Sequence, residues 1–192
     1  AAAQAEADRL KAELDLARAP TLARKAKLDA QILEGKQMHA DAQKAVDKQP
    51  LDELRSMHHP PPGVELVLEA VMLVIGKGVH HNSHTSSTAL RGDSAWNTIY
   101  KQLQDEDFLQ EVLQLDPSTL SKQTVKHLQG PHFLTNPAFE EEKIAPASLA
   151  AGSLCHWLKA QVALAETLIA ARELEAEMAA LEESLSGLRQ AY

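Results

Sequence analysis

The chain has one cysteine, Cys155, which excludes an internal disulfide framework. With no apolar signal segment at the N-terminus, the expected setting is reducing and intracellular. Long apolar runs are also missing. None approaches the roughly 18 residues that a membrane span requires, so a soluble protein with no membrane partner is expected. Positive charge is in deficit, with 19 Lys and Arg against 27 Asp and Glu and a formal net charge of -8. That balance argues against avid nucleic-acid binding, whose affinity rests on neutralising phosphates. Strict period-two alternation bounded by turns is absent, so no sheet is predicted. A GxxxxGK[ST] phosphate loop is absent too. Gly76-Lys77-Gly78 lacks both the spacing and the following Ser or Thr, and nucleotide hydrolysis is not expected of this chain.

What the chain does have is a long Ala- and Leu-rich arm at each end, residues 1–47 and 161–192, with an insert of different composition, residues 48–160, between them. In the second arm Leu174, Met178, Leu181, Leu185, Leu188 and Tyr192 recur at alternating spacings of four and three, the seam of a left-handed coiled coil. Arg172, Glu173, Glu175, Glu177, Glu182 and Glu183 surround that seam as a solvated face. The first arm is ambiguous: Leu28, Ile32, Gly35, His39, Ala42 and Val46 give one seam, while Met38, Ala42 and Ala45 give a neighbouring one. Small residues and a glycine set no large knob, so this helix slides easily along a partner. Pro20 removes one backbone hydrogen bond and is expected to kink or break the arm. A helix of roughly 45 residues extends about 65–70 Å. The two arms satisfy their seams by folding back on each other, which predicts an intramolecular antiparallel coiled coil and a monomer.

In the insert, Pro50 opens a short helix over residues 51–59 and Pro60, Pro61 and Pro62 stop it. Residues 63–75 are apolar nearly all round apart from Glu65 and Glu69, the pattern of a central buried helix, with Gly76 as its stop. Residues 77–94, rich in Gly, Ser, Thr, Asn and His, read as a surface loop. Helices are predicted over 96–103, 108–115 and 117–128, the last capped by Asp116 with Pro117 in its first turn. Gly130-Pro131 and Asn136-Pro137 mark turns, and the helical pattern resumes near residue 147 and runs into the second arm. The fold class is all-α, a small helical bundle at the tip of an antiparallel coiled coil.

Other constellations have plain explanations. His80, His81 and His84 form an HHxxH cluster, but no Cys and no helix fixes the geometry a Zn²⁺ site needs, and no metal is expected. Arg91-Gly92-Asp93 reads as a turn. Trp96 and Trp157 read as core anchors, and Cys155 beside His156 as a buried, inert thiol, because neighbours on a helix point in different directions.

A resemblance is carried by Arg55-Ser56-Met57-His58-His59-Pro60-Pro61, the apolar stretch after it, Trp96, Phe133-Leu134-Thr135-Asn136-Pro137, and Ala147-Ser148-Leu149-Ala150-Ala151-Gly152 with Trp157. In that order, between two coiled-coil arms, these segments resemble the stalk and microtubule-binding domain of dynein heavy chains over residues 51–161. The resemblance implies tubulin as partner, continuity with the rest of a heavy chain that carries the ATPase, and no cofactor in this segment. It also implies a head of about six helices whose affinity is set by a slip of about four residues, or 6 Å, between the stalk helices. The long segment between Gly76 and Trp96 resembles axonemal relatives, which implies a cilium or flagellum.

By position, the resemblance assigns microtubule contacts to Arg55 and His58 in the first head helix and to Asn97, Tyr100 and Lys101 in the third. It adds Lys143, Pro146, Ser148 and His156 around the start of the last. Glu53 and Glu142 align with acidic positions that moderate affinity. Basic side chains that relatives often place at His58, Glu65, Tyr100, Pro146 and His156 are missing, so weaker and more salt-sensitive attachment to acidic tubulin is expected. Residues 50–160 hold eight Lys and Arg against thirteen Asp and Glu, so the acidic runs 105–107 and 140–142 are expected to lie away from a contact face. Eight of the nine histidines fall in the insert, and binding is expected to tighten from about pH 7.5 to about pH 6. The competing reading is a coiled-coil adaptor that dimerises and binds another protein through its head.

Overall fold

The computed structural model describes residues 2–77 and 91–190. Its elements are α1 (Ala2–Asp47), α2 (Asp52–Ser56), α3 (Pro62–Val74), α4 (Arg91–Leu103), α5 (Phe108–Leu113), a 3₁₀ turn (Pro117–Thr119), α6 (Lys122–Leu128), α7 (Glu141–Ile144) and α8 (Leu149–Gln190). The protein is all-α, with no strand among the described residues. Its contacts divide it into two compact units, one made of residues up to 34 with those from 166 onward, the other of residues 35–165. The second unit thus takes in the last part of α1, which the sequence pattern places with the first arm.

In the first unit α1 and α8 run antiparallel. Arg18 pairs with Glu182 at 3.7 Å, Arg24 with Glu177 at 3.2 Å and Lys25 with Glu175 at 3.8 Å, partners descending along α8 as they ascend along α1. The predicted seam of α8 lies inside, with Leu174 and Leu185 buried and Met178 and Leu181 half-buried. The side chain of Leu188, and Tyr192, lie outside the described residues. The seam is narrow, and Leu16 and Leu33 on α1 remain 77% and 73% exposed. Of the kink or break expected at Pro20, the break does not occur: α1 continues through it. A proline ring sets a φ that a helix tolerates and removes one donor. Hydrogen bonds on either side persist, and Thr21 Oγ1 donates to the Ala17 carbonyl at 3.0 Å.

The second unit is built around α3. Pro62 occupies the first turn, where a missing N–H costs nothing, and Val64, Leu66, Val67, Leu68, Ala70, Val71, Met72 and Val74 are all buried. Gly76 ends it at φ +78°. There the Lys77 N–H reaches the Met72 carbonyl at 2.8 Å and the Gly76 N–H that of Leu73 at 3.3 Å, the paired bonds of a Schellman cap. Of the two seams available to α1, one is used here: His39, Ala42 and Val46 are buried, whereas Met38 is 54% exposed. Close approach is required where α7 meets α8, since a Cβ on Gly152 would lie 2.8 Å from Ala145 Cβ.

Several boundaries differ from expectation. The helix predicted over 51–59 is confined to Asp52–Ser56, because Met57 turns extended (ψ 112°) ahead of the prolines. α4 starts at Arg91, so Arg91-Gly92-Asp93 is helical and not a turn. The rest of the predicted loop, 78–90 with His80, His81 and His84, lies outside the described residues. The single helix predicted over 117–128 is two. Asp116 accepts from Ser118 N–H and caps the 3₁₀ turn, Leu120 is extended, and Ser121 then caps α6 by accepting from Thr124 N–H. A second strong cap inside the run competes with continuous helix. The short α7 carries no apolar period long enough to signal it.

Candidate functional site

Polar side chains suited to docking fall into two groups in the second unit. The first is built where α2 packs on α4. The Arg55 guanidinium is 30% exposed, near Asp52 at 3.9 Å. Its Nε donates to the Leu103 carbonyl at 2.6 Å and one terminal nitrogen to that of Asp105 at 3.4 Å. Leu103 O belongs to the last turn of α4, where carbonyls lack intrahelical donors and a cation is favoured. In return Gln104 Nε2 donates to the Arg55 carbonyl at 3.2 Å and Trp96 Nε1 to that of Met57 at 3.1 Å. His58, which lies beyond the end of α2 and not within it, tilts against Tyr100 with ring centroids 5.8 Å apart. Asn97 and Lys101 are exposed on α4 beside Tyr100, which is half-buried.

The second group surrounds α7 and the start of α8. Lys143 donates to the Pro137 carbonyl at 2.7 Å and pairs with Glu140 at 2.9 Å. His156 faces Glu141 at 3.3 Å, each side chain 50% exposed. Ser148 is 1% exposed, and its Oγ accepts from the Ala151 N–H at 3.2 Å. It caps α8 and offers no side chain to a partner, a correction to its reading as a contact residue. Pro146 is exposed, as are Glu53 and Glu142.

The acidic runs are partly spent within the molecule. Glu140 and Glu141 take up Lys143 and His156, and Asp105 sits 4.0 Å from Lys77, which also pairs with Glu111. The backbone N–H of Ser118 donates to Asp116 and lowers that carboxyl's pKa. Burial pushes the Cys155 thiol up to about 11, the state of an inert packing group rather than a nucleophile. Trp96 and Trp157 are 4% and 0% exposed and act as core anchors. Among the described residues no three His, Cys, Asp or Glu stand close enough to hold a metal, and no helix is long and apolar enough to cross a membrane. What remains is chemistry of surface complementarity: exposed Lys, His and Asn beside the half-buried Tyr100 on a braced helical pair.

Sequence reasoning missed Gln104 and Trp96 Nε1 as braces, Glu141 as the partner of His156, and a buried pair, His39 and Gln161. All join residues far apart in the chain, and no local signal announces them.

A family model described as the microtubule-binding stalk of dynein motor matches residues 25–192. The cytoplasmic dynein heavy chain of Saccharomyces cerevisiae is 31% identical over 139 residues, 72% of this chain. The human dynein axonemal heavy chain 2 is 27% identical over 119 residues, 62% of it. The chain spans only 3% and 2% of the length of these two relatives. Among solved structures, the microtubule-binding domain of dynein-c is similar with a TM-score of 0.56 and 29% identity, covering 73% of this chain and 90% of that one.

Proposed function

The chain belongs to the family of dynein microtubule-binding stalks, and from that premise we propose that it docks on the microtubule through the α2/α4 group, Arg55, His58, Asn97, Tyr100 and Lys101, joined by Lys143 and His156. The observation that carries the reading is the bracing of α2 on α4 by Arg55, Gln104 and Trp96, which presents exposed polar groups on a pre-ordered support. Ser148 takes part only by capping α8. Glu53 and Glu142, both exposed, keep the attachment weak by repelling an acidic lattice.

Affinity is set by the relative axial position of α1 and α8, and ATP hydrolysis is the work of other parts of the heavy chain. No cofactor and no nucleic acid take part, and the chain acts as a monomer at the cytoskeleton. The finer assignment, to an axonemal dynein of a cilium or flagellum, rests on the long segment 77–94 alone.

Cosedimentation with microtubules across a salt series tests the docking: pelleting at low ionic strength that falls steeply with salt is expected, and no pelleting at low salt refutes it. Locking α1 and α8 by disulfides in two registers one helical turn apart tests the coupling, which requires two distinct affinities.

A further inference from the structure

The pairing of α1 with α8 inside the second unit contains polar chemistry that an apolar seam does not need. His39 is 9% exposed and Gln161 fully buried, and the imidazole Nε2 is hydrogen-bonded to the Gln161 side-chain oxygen. The other end of that amide is unserved, because Gln161 Nε2 is buried with no hydrogen-bond partner. One turn nearer the start of α8, Trp157 is also fully buried and its Nε1 has no partner. Residues four apart share a helix face, so α8 carries two polar stations in succession, 157 and 161, and His39 serves one of them. A buried donor left without an acceptor is costly, so an arrangement that satisfies Trp157 at the expense of Gln161 lies close in free energy to the one observed.

We infer that His39 is a two-position stop that makes two discrete registers of α1 on α8 favourable. It bonds Gln161 in the register seen here. When α1 moves one turn toward the start of α8, about 6 Å, it accepts the Trp157 indole N–H. An imidazole donates from one nitrogen and accepts at the other, so one neutral ring serves both stations. Positions between the two stations make neither bond and leave the imidazole without these partners, which penalises them. The neighbouring contacts permit the step. Gly35 lies against Leu164, where an added Cβ would be 3.2 Å from Cδ1, and after the step it faces the region of Ala160, a smaller side chain. The inference rests on the proposal that the two helices slide, and it names which residues of this chain set the end points.

Two double-cysteine variants on a Cys155→Ala background read the registers. An ideal Cβ on Gly35 is 3.8 Å from Leu164 Cβ, the Cβ separation of an unstrained disulfide, so Gly35→Cys with Leu164→Cys reports the present register. Gly35→Cys with Ala160→Cys reports the stepped one. With rates of disulfide formation measured in a glutathione buffer, Gln161→Met is expected to speed the 35/160 bridge relative to the 35/164 bridge by about fivefold, the weight of one hydrogen bond. Trp157→Phe is expected to shift the ratio about as far the other way. If both bridges form in the parent but Trp157→Phe leaves their ratio unchanged, the two-position stop is wrong while sliding stands. If the 35/160 bridge forms in no variant, sliding and the stop fall together. A second measurement needs no core substitution at 157. In the 35/160-locked protein the Trp157 indole proton is expected to resonate downfield and exchange more slowly than in the 35/164-locked protein, approaching Trp96, whose indole N–H donates to Met57 O at 3.1 Å. Identical indole signals in the two locked forms overturn the inference.

Discussion

The two compact units use the same two long helices in different ways. Up to residue 34 and from 166 onward, α1 and α8 meet along a narrow line in which Leu174 and Leu185 are buried while Leu16 and Leu33 stay in solvent, with exposed ion pairs alongside. From 35 to 165 the same helices are surrounded by short ones, and Phe108, Phe139, Trp157 and the whole inner face of α3 are excluded from water. A narrow seam flanked by solvated charges imposes a low barrier to axial movement, because few knobs must leave their holes and surface ion pairs exchange partners cheaply. A close-packed core is bistable at best, since each methylene is fitted to its neighbours. One polypeptide therefore joins a region that slides freely to one that admits only discrete arrangements, such as the two positions inferred for His39.

The largest effect that separates the two is core truncation. Phe139→Ala, at a fully buried position, is expected to cost about 3–5 kcal/mol in urea denaturation; truncating the exposed Leu16 costs far less, and comparable losses at both sites contradict the contrast. Next comes Gly152→Ala. The new Cβ meets Ala145 Cβ at 2.8 Å and its Cα at 3.0 Å, so backbone must shift and about 1–3 kcal/mol is expected to be lost. Its counterpart Gly187, with nothing within 4 Å of an added Cβ, is expected to gain stability on the same change, because alanine is the better helix former.

Surface charge tests the docking face rather than the core. Glu142→Lys is expected to tighten microtubule cosedimentation several-fold at low salt and little at high salt, with unfolding stability nearly unchanged. The thiol gives a pH test. Burial raises Cys155 from the ordinary 9.0 to about 11, so folding favours the neutral thiol. The unfolded chain ionises first, and this contribution is intact below pH 9 and disappears as pH rises toward 11. Slow alkylation of the native chain at pH 8 and rapid alkylation in urea are expected; equal rates place the thiol in solvent. The smallest effect is in the first unit. Arg24→Ala, which removes an exposed pair with Glu177, is expected to change stability by less than about 1 kcal/mol.

Much of this protein was legible in its sequence because period and punctuation are local. The apolar stretch after the triple proline could only be a central helix, and the four-three spacing from Leu174 to Leu185 could only be a seam. Misreadings arose where two local signals competed, as at Asp116 and Ser121, each a good cap seven residues or fewer from the next helix turn. Pro20 misled for a different reason, since one missing hydrogen bond is outweighed when the helix on both sides is paired. At the proposed docking groups the residue types were readable, but their state was not. That Arg55 spends itself on the carbonyls of α4, or that Ser148 turns inward to cap α8, depends on partners many residues distant.

By itself the sequence determined the all-helical class, the antiparallel pairing of two arms and the membership in a dynein stalk family, because these follow from periodicity and from motifs in order. Tertiary structure alone decided which of two seams α1 uses, that His39 meets Gln161, and which charged side chains remain free for a partner. Those outcomes are set by long-range packing, in which a small difference between nearly equal registers selects the one observed, and no local pattern encodes a difference of that kind.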